Sequence, residues 1–235
     1  MIRGFWLYGA LALLLQALVG CGQPSQSTKS EQASAKSEAP VQYDQLVVVF
    51  GDSLYAGYKL APDEGLAPQL QAALNDDGIN ARVHNAGVTG DTTAAGKTRL
   101  SFVLDNLERS PDLVVLGLGG NDMLRGVKPA ETRANMEAML DELKERQIPA
   151  VLTGMLAAPN LGADYANEFN SIFPELAKQY GTPIYPFFLD GVVADKSLML
   201  PDGVHPNAKG VSRVVEGLSP LVEAALKEQR DTVSE

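Results

Sequence analysis

The segment Gly51-Asp52-Ser53-Leu54 carries a serine that is placed to act as a nucleophile. It follows an apolar run at positions 46–50 that is typical of a buried strand, so Ser53 stands where a strand turns into a helix. A serine hydroxyl is a poor nucleophile unless an adjacent base takes its proton. The segment therefore predicts acyl-transfer chemistry if the chain also supplies that base.

Histidine is the side chain that most often serves as such a base, and the chain has two, His84 and His205. His84 lies within a strand-like run, which favours a packed strand residue. His205 follows Asp202 in the loop Asp202-Gly203-Val204-His205, where the carboxylate can orient the imidazole and stabilise its charged form. The same loop is equally typical of a turn before a helix that starts with proline, so both interpretations stay open.

Two further loops are rich in glycine, at 85–93 and at 117–122. Acyl transfer passes through a tetrahedral oxyanion that preorganised N–H donors stabilise. Glycines allow the backbone to approach a substrate closely, and Asn121 adds a side-chain amide. The glycines of the second loop are a poor match to a dinucleotide fingerprint, because the third spaced glycine is missing. Two histidines and one cysteine also leave few soft metal ligands, so we predict no metal site.

These residues need a scaffold, and the remaining pattern predicts one. Short apolar runs typical of buried parallel strands occur at 46–50, 113–116 and 150–152, with weaker candidates at 81–85 and 183–186. Helix-spaced apolar residues lie between or after them: Leu100, Val103, Leu104 and Leu107; Met136, Met139, Leu140 and Leu143; Val211, Val214, Val215, Leu218 and Val222. Strand followed by helix, repeated about five times, predicts an α/β domain with helices on both faces of a parallel sheet. The polar loops would then meet at the carboxyl ends of the strands.

The first 20 residues have the composition of an export signal, with Arg3 before a short apolar stretch. The segment Leu18-Val19-Gly20-Cys21 resembles the lipobox of bacterial lipoproteins, which predicts lipidation at Cys21. The alternatives to a lipidated export signal are a transmembrane anchor and an ordinary cleaved signal that leaves a free thiol at Cys21. Positions 22–40 hold no large apolar residue and are typical of a flexible tether. We therefore predict a signal peptide at 1–20, lipidated Cys21 with a linker to 43, a domain at 44–228 and a tail at 229–235.

The chain carries 29 acidic and 19 basic residues and has no basic stripe. This balance argues against nucleic acid as a partner and against electrostatic docking on anionic lipid. Membrane association would therefore come from the lipid anchor, and we expect a monomer. Gly22 is not the aspartate associated with inner-membrane retention, so we favour the outer membrane in a cell that has two membranes.

The four polar blocks together resemble those of the SGNH (GDSL) hydrolase family, in order. They are Gly51-Asp52-Ser53-Leu54, Gly90-Asp91-Thr92, Gly119-Gly120-Asn121-Asp122 and Asp202-Gly203-Val204-His205. The chain looks most similar to the bacterial branch of acyl-CoA thioesterases, lysophospholipases and arylesterases, over about residues 44–226. The resemblance implies a three-layer α/β/α sandwich with five parallel strands, flavodoxin-like, and no metal or cofactor.

The resemblance also implies roles. Ser53 would be the nucleophile, His205 the general base and acid, and Asp202 its partner. The Ser53 and Gly90 N–H groups and the Asn121 amide would form the oxyanion hole, while Asp52 would hold the turn. Tyr55 departs from the branch, where a smaller residue is common, and would narrow the acyl pocket. We therefore predict an esterase acting on small-molecule carboxylic esters or thioesters; a carbohydrate O-acetylesterase and a non-catalytic binding lipoprotein are the alternatives.

Overall fold

A computed structural model of the chain describes residues 42–233. Cys21, the predicted signal and most of the predicted linker lie outside the described residues. Five strands form one parallel sheet in the order β2-β1-β3-β4-β5. The strands are β1 (Gln45–Gly51), β2 (Ala81–Gly87), β3 (Leu113–Gly117), β4 (Ala150–Thr153) and β5 (Ile184–Tyr185). The predicted five-stranded parallel sheet is confirmed.

Seven α-helices connect or follow these strands within the described residues. They are α1 (Ser53–Ala56), α2 (Leu66–Asp76), α3 (Thr93–Asp105), α4 (Gly120–Leu124), α5 (Pro129–Glu145), α6 (Ala163–Tyr180) and α7 (Ala208–Val233). Helix α7 continues past position 228, the predicted end of the domain. Its polar end is rich in Lys, Glu, Gln and Arg, which have high helix propensity, so the helix does not stop where its apolar stripe ends.

Strand β1 shows why the sheet is covered on both faces. All seven of its residues are buried, and successive side chains point to opposite sides. Val47 and Val49 pack with α2 and α7 on one face, whereas Val48 and Phe50 pack with α3, α5 and α6 on the other. The sequence is therefore a continuous apolar run, as expected for a parallel strand with a helical layer on each side.

The order of the strands changes direction at β1, and this creates a crevice at the carboxyl end of the sheet. From β1 the chain passes to β2 on one side, then to β3 on the other, so the strand order reverses at this strand. Loops leaving adjacent carboxyl ends at such a reversal diverge to opposite faces and leave a crevice between them. The loops after β1 and β3 start at this crevice, and the loop after β2 starts at the strand next to β1.

Candidate active site

Ser53 is held at the start of α1 by the residue before it. Asp52 is the helix N-cap, and its Oδ1 accepts a hydrogen bond from the Leu54 N–H at 3.0 Å. The helix ends after one turn because Gly57 adopts the left-handed conformation with φ 77°. Only 9% of the surface of Ser53 is exposed, so the residue is buried. The predicted role of Asp52 in the turn matches this geometry.

Ser53, His205 and Asp202 form a continuous hydrogen-bonded chain. His205 Nε2 lies 2.9 Å from Ser53 Oγ, and His205 Nδ1 lies 2.9 Å from Asp202 Oδ2. The other Asp202 oxygen accepts from the backbone N–H groups of His205 and Val204, each at 3.0 Å. These two backbone bonds, together with the imidazole, lower the pKa of Asp202. The carboxylate therefore stays charged beside the ring.

The segment Asp202–His205 is a turn as well as part of this chain. Gly203 has φ 67°, and the Leu200 N–H donates to the His205 carbonyl at 2.7 Å. The predicted turn is therefore present, but no helix starts at the proline: α7 begins at Ala208, and Pro206 pairs with Met199 in an isolated bridge. The other histidine, His84, is on β2, where burial lowers its pKa.

Gly90 lies in the loop after β2 and Asn121 lies on α4, and these two segments are hydrogen-bonded to each other. Gly90 has φ 87°, a conformation that favours glycine, and its carbonyl accepts from Arg125 at 2.8 Å. Asn121 Nδ2 donates to the carbonyl of Asp91 at 3.0 Å and to Asp52 Oδ2 at 3.3 Å. Both N–H groups of the amide are thus engaged by protein acceptors.

Arg99 ties the Gly90 loop to the end of β1. Its guanidinium donates to Asp91 Oδ2 at 2.6 Å and to the Gly51 carbonyl at 2.9 Å, and it lies 4.0 Å from the Phe50 ring centroid. A planar guanidinium with two fixed acceptors and a ring beneath it restrains both segments. No sequence signal separates this arginine from the other basic residues of the chain.

Asp52 and Asp122 are both buried carboxyl groups, and the structural role of Asp122 is one that its motif did not indicate. Asp52 is 3% exposed, and burial raises its pKa to about 6, so the site holds a carboxyl that titrates near neutrality. Asp122 is 1% exposed and accepts hydrogen bonds from the Thr93 N–H at 2.8 Å, the Thr93 hydroxyl and the Thr132 hydroxyl. It therefore fixes α4 to the starts of α3 and α5.

Tyr55 lies beneath the site and is 2% exposed. Its ring stacks on Phe188 at 5.1 Å between centroids, and its hydroxyl is hydrogen-bonded to Thr153. A cavity of about 10 Å³ remains between Tyr55, Asp52 and Met155, which is room for about one water molecule. The tyrosine thus fills space next to Asp52; its predicted narrowing of the acyl pocket stays a prediction.

The loop from Met155 to Gly162 is anchored on the side of the site next to α4. The Ala157 N–H donates to the Asn170 side chain at 2.7 Å, and the Ala158 N–H lies 3.0 Å from the Met123 sulfur. Leu156 points outward with 43% of its surface exposed. A larger groove of about 410 Å³ lies at the opposite end of the sheet, lined by Ile148, Pro183 and their neighbours. That groove contains none of the residues singled out for chemistry.

Two classes of feature are absent from residues 42–233. No three His, Cys, Asp or Glu side chains there are grouped to hold a metal ion. Within the same residues, no helix has the length and apolar character needed to cross a bilayer.

A serine, a histidine and a carboxylate are hydrogen-bonded in series at the carboxyl end of a parallel sheet. This arrangement on an α/β fold is that of a serine hydrolase. Residues 49–213 match the family model described as GDSL-like lipase/acylhydrolase. The chain belongs to this family and is an SGNH hydrolase.

Known proteins similar to the chain include named esterases. Esterase TesA of Pseudomonas aeruginosa is 37% identical over 225 residues, which is 96% of this chain and 100% of that protein. The thioesterase 1/protease 1/lysophospholipase L1 of Escherichia coli is 35% identical over 162 residues, covering 68% of this chain and 75% of that protein. The crystal structure of AlinE4, an SGNH-hydrolase family esterase, is 49% identical with a TM-score of 0.67, over 79% of this chain and 98% of that one.

Proposed function

We propose that this hydrolase cleaves carboxylic esters and thioesters through an acyl-enzyme on Ser53. The observation that carries the proposal is the series Ser53–His205–Asp202, with both hydrogen bonds at 2.9 Å. Such a series supplies the proton acceptor that a serine hydroxyl needs and the carboxylate that orients it.

In the first half-reaction, Ser53 Oγ attacks the carbonyl carbon of the substrate and its proton moves to His205 Nε2. The carbonyl π electrons move to oxygen, giving a tetrahedral oxyanion. When the intermediate collapses, the bond to the leaving oxygen or sulfur breaks, and that atom takes the proton from His205. Asp202 holds the ring and stabilises its cationic form throughout. The product of this step is an ester on Ser53.

In the second half-reaction, water replaces the alcohol or thiol. His205 accepts a proton from the water as its oxygen attacks the acyl carbon, and returns it to Ser53 Oγ as the carboxylic acid leaves. No external reductant, oxidant or metal is needed to balance these steps.

The oxyanion would be stabilised by the N–H groups of Ser53 and Gly90 and by the Asn121 side chain. Because both Asn121 N–H groups are engaged by the protein, the oxyanion must replace one acceptor. The bond to Asp52 at 3.3 Å is longer than the bond to Asp91 at 3.0 Å. We therefore assign the exchange to the Asp52 contact.

The substrate class follows from the relatives and from the walls of the site. Relatives of the chain are named esterase, arylesterase and thioesterase/lysophospholipase. Partly buried Met155 lies beside Asp52 and exposed Leu156 follows it in the chain, and such apolar side chains suit an acyl or aryl group. Aryl esters, acyl-CoA-type thioesters and lysophospholipids are the substrates we propose to compare.

We further propose that the protein is a monomeric lipoprotein, exported and held on the outer membrane through acyl chains on Cys21. The lipobox-like segment and the tether composition support this location. Metabolic labelling with a clickable palmitate analogue tests it, because Cys21→Ser would lose the label while the wild-type chain keeps it.

The acyl-enzyme is tested by labelling with a fluorophosphonate probe followed by peptide mass spectrometry. The adduct should map to Ser53 and disappear in His205→Ala. An adduct on another residue would overturn the assignment of Ser53.

A further inference from the structure

The ring of Tyr58 packs against the imidazole of His205. The two ring centroids are 4.4 Å apart and the planes are tilted by 39°. The hydrogen bonds from His205 to Ser53 and Asp202 lie in the plane of the imidazole, so they leave the ring free to rock about the line joining them. Tyr58 contacts the face of the ring and restrains that remaining motion.

The backbone at the end of α1 places Tyr58 there. The Tyr58 N–H donates to the Ser53 carbonyl at 3.2 Å, so the tyrosine follows directly from the helical turn that holds the serine. Gly57 before it and Lys59 after it have φ of 77° and 58°. A lysine in the left-handed region costs free energy, and such conformations persist where the surrounding structure enforces them, often at functional sites.

The charges around His205 come from three segments. Asp202 bonds its Nδ1, and Asp52, buried under the nucleophile, interacts with it electrostatically. Lys59 places its ammonium 4.9 Å from the centroid of the Tyr58 ring. The contribution of Tyr58 has to be separated from these three charged groups.

We infer that Tyr58 is a positioning residue for the reaction, which holds the His205 imidazole in line with Ser53 and stabilises its cationic form through the face of the phenol ring. This inference rests on the proposed function, in which His205 becomes cationic as the tetrahedral intermediate forms. An aromatic face attracts a cation and does little for a neutral ring. The contact therefore stabilises the transition state more than the ground state, so its loss should lower kcat.

Two substitutions separate the ring from its hydroxyl and from its bulk. Tyr58→Phe keeps the aromatic face, and Tyr58→Leu keeps an apolar side chain without it. With a soluble p-nitrophenyl ester, Phe should leave kcat within about twofold of wild type. Leu should lower kcat by about 2- to 30-fold with little change in KM, the range expected for a cation on an aromatic face. Tyr180→Leu, at the opposite end of the sheet, is the matched control and should leave kcat unchanged.

The pH profile adds a readout that a purely structural role would not move. In Tyr58→Leu, the acid limb of kcat/KM should move to lower pH, because the cation loses its partner, while Tyr58→Phe restores the wild-type limb. NMR titration of the His205 ring in the absence of substrate should show the same shift to lower pH in Tyr58→Leu and no shift in Tyr58→Phe. The substitution His84→Asn removes the one other histidine signal.

Several outcomes would overturn the inference. A folded Tyr58→Leu protein with wild-type kcat and pH profile would do so, as would a rise in KM alone, which would place Tyr58 against substrate. An equal loss of kcat in Tyr58→Phe and Tyr58→Leu would show that the hydroxyl of Tyr58, and not its ring, is responsible. If Leu fails to fold by near-UV circular dichroism, Tyr58→Met is measured in its place under the same criteria. Failure of the proposed function is distinguishable, because Ser53→Ala would then keep its turnover whatever the Tyr58 variants do.

Discussion

The Asn121 side-chain amide lies 3.3 Å from a carboxylate oxygen of Asp52, the residue immediately before Ser53. The same carboxylate caps the helix that carries Ser53. One buried aspartate therefore links the candidate nucleophile to a candidate oxyanion donor. Its raised pKa, about 6, means that this link changes charge within the range in which esterases are assayed.

Replacing Ser53 by alanine should abolish hydrolysis of p-nitrophenyl esters, because no other hydroxyl is bonded to His205 among the described residues. Folding should be retained, since the change removes one oxygen atom. Steady-state assays with circular dichroism check both parts. Ser101→Ala, on the exposed side of α3, is the matched control. Turnover by Ser53→Ala above the uncatalysed rate would refute the assignment.

Asn121→Ala should lower kcat by about 10²- to 10³-fold, the usual effect of removing one oxyanion donor. KM should change little, because the oxyanion exists in the transition state and not in the bound ester. Asn106→Ala, at the C-cap of α3, gives the effect of losing an asparagine elsewhere. A change confined to KM would instead show that Asn121 binds the ground state.

The buried Asp52 carboxyl should make the stability of the protein fall as pH rises from about 4 to 6. Burial raises its pKa from 3.8 to about 6, so in this window the folded state binds a proton that the unfolded state has released. The loss amounts to about 2–3 kcal/mol, at 1.36 kcal/mol per pKa unit. Urea unfolding at pH 4 and pH 7 measures it.

Asp52→Asn cannot ionise, so the decrease between pH 4 and pH 7 should be smaller by that amount. Asp63→Asn, at an exposed position, should retain the wild-type difference. Equal differences in wild type and Asp52→Asn would show that the carboxyl is not strained by burial.

Asp122→Asn should destabilise the fold by about 1–3 kcal/mol, because an amide NH₂ would face donors that now bond a carboxylate. Thermal or urea unfolding checks this, with Asp63→Asn as the surface control. Residual activity per folded molecule should stay near wild type, since Asp122 points away from Ser53 toward α3 and α5. A loss of kcat with an unchanged free energy of unfolding would instead show that Asp122 takes part in the reaction.

The sequence was most informative where burial imposes a pattern. The runs at 46–50 and 113–116 became β1 and β3, because a strand covered on both faces must be apolar throughout. Helix α6 was harder to predict: Pro174 lies within it, and a proline usually marks the end of a helix. Strand β5 is two residues long, too short for any periodicity.

Within the site, the motifs predicted which residues meet but not how their neighbours support them. The contacts Asp52–Asn121 and Tyr58–His205 join segments that are far apart in the sequence, and residue types do not specify which distant side chains will meet. Asp122 follows Asn121 in the same motif but points into the core. Spacing alone gives no sign of this.

Tyr55 also limits which side chains the neighbouring position 117 can accept. A side chain at Gly117 would overlap the hydroxyl and ring of Tyr55 and the hydroxyl of Thr153, all of them side-chain atoms. Position 117 is therefore closed to a side chain while Tyr55 and Thr153 occupy their present positions. Glycine at position 117 and tyrosine at position 55 are therefore coupled by sterics, and a side chain at 117 would require Tyr55 to move or to be replaced.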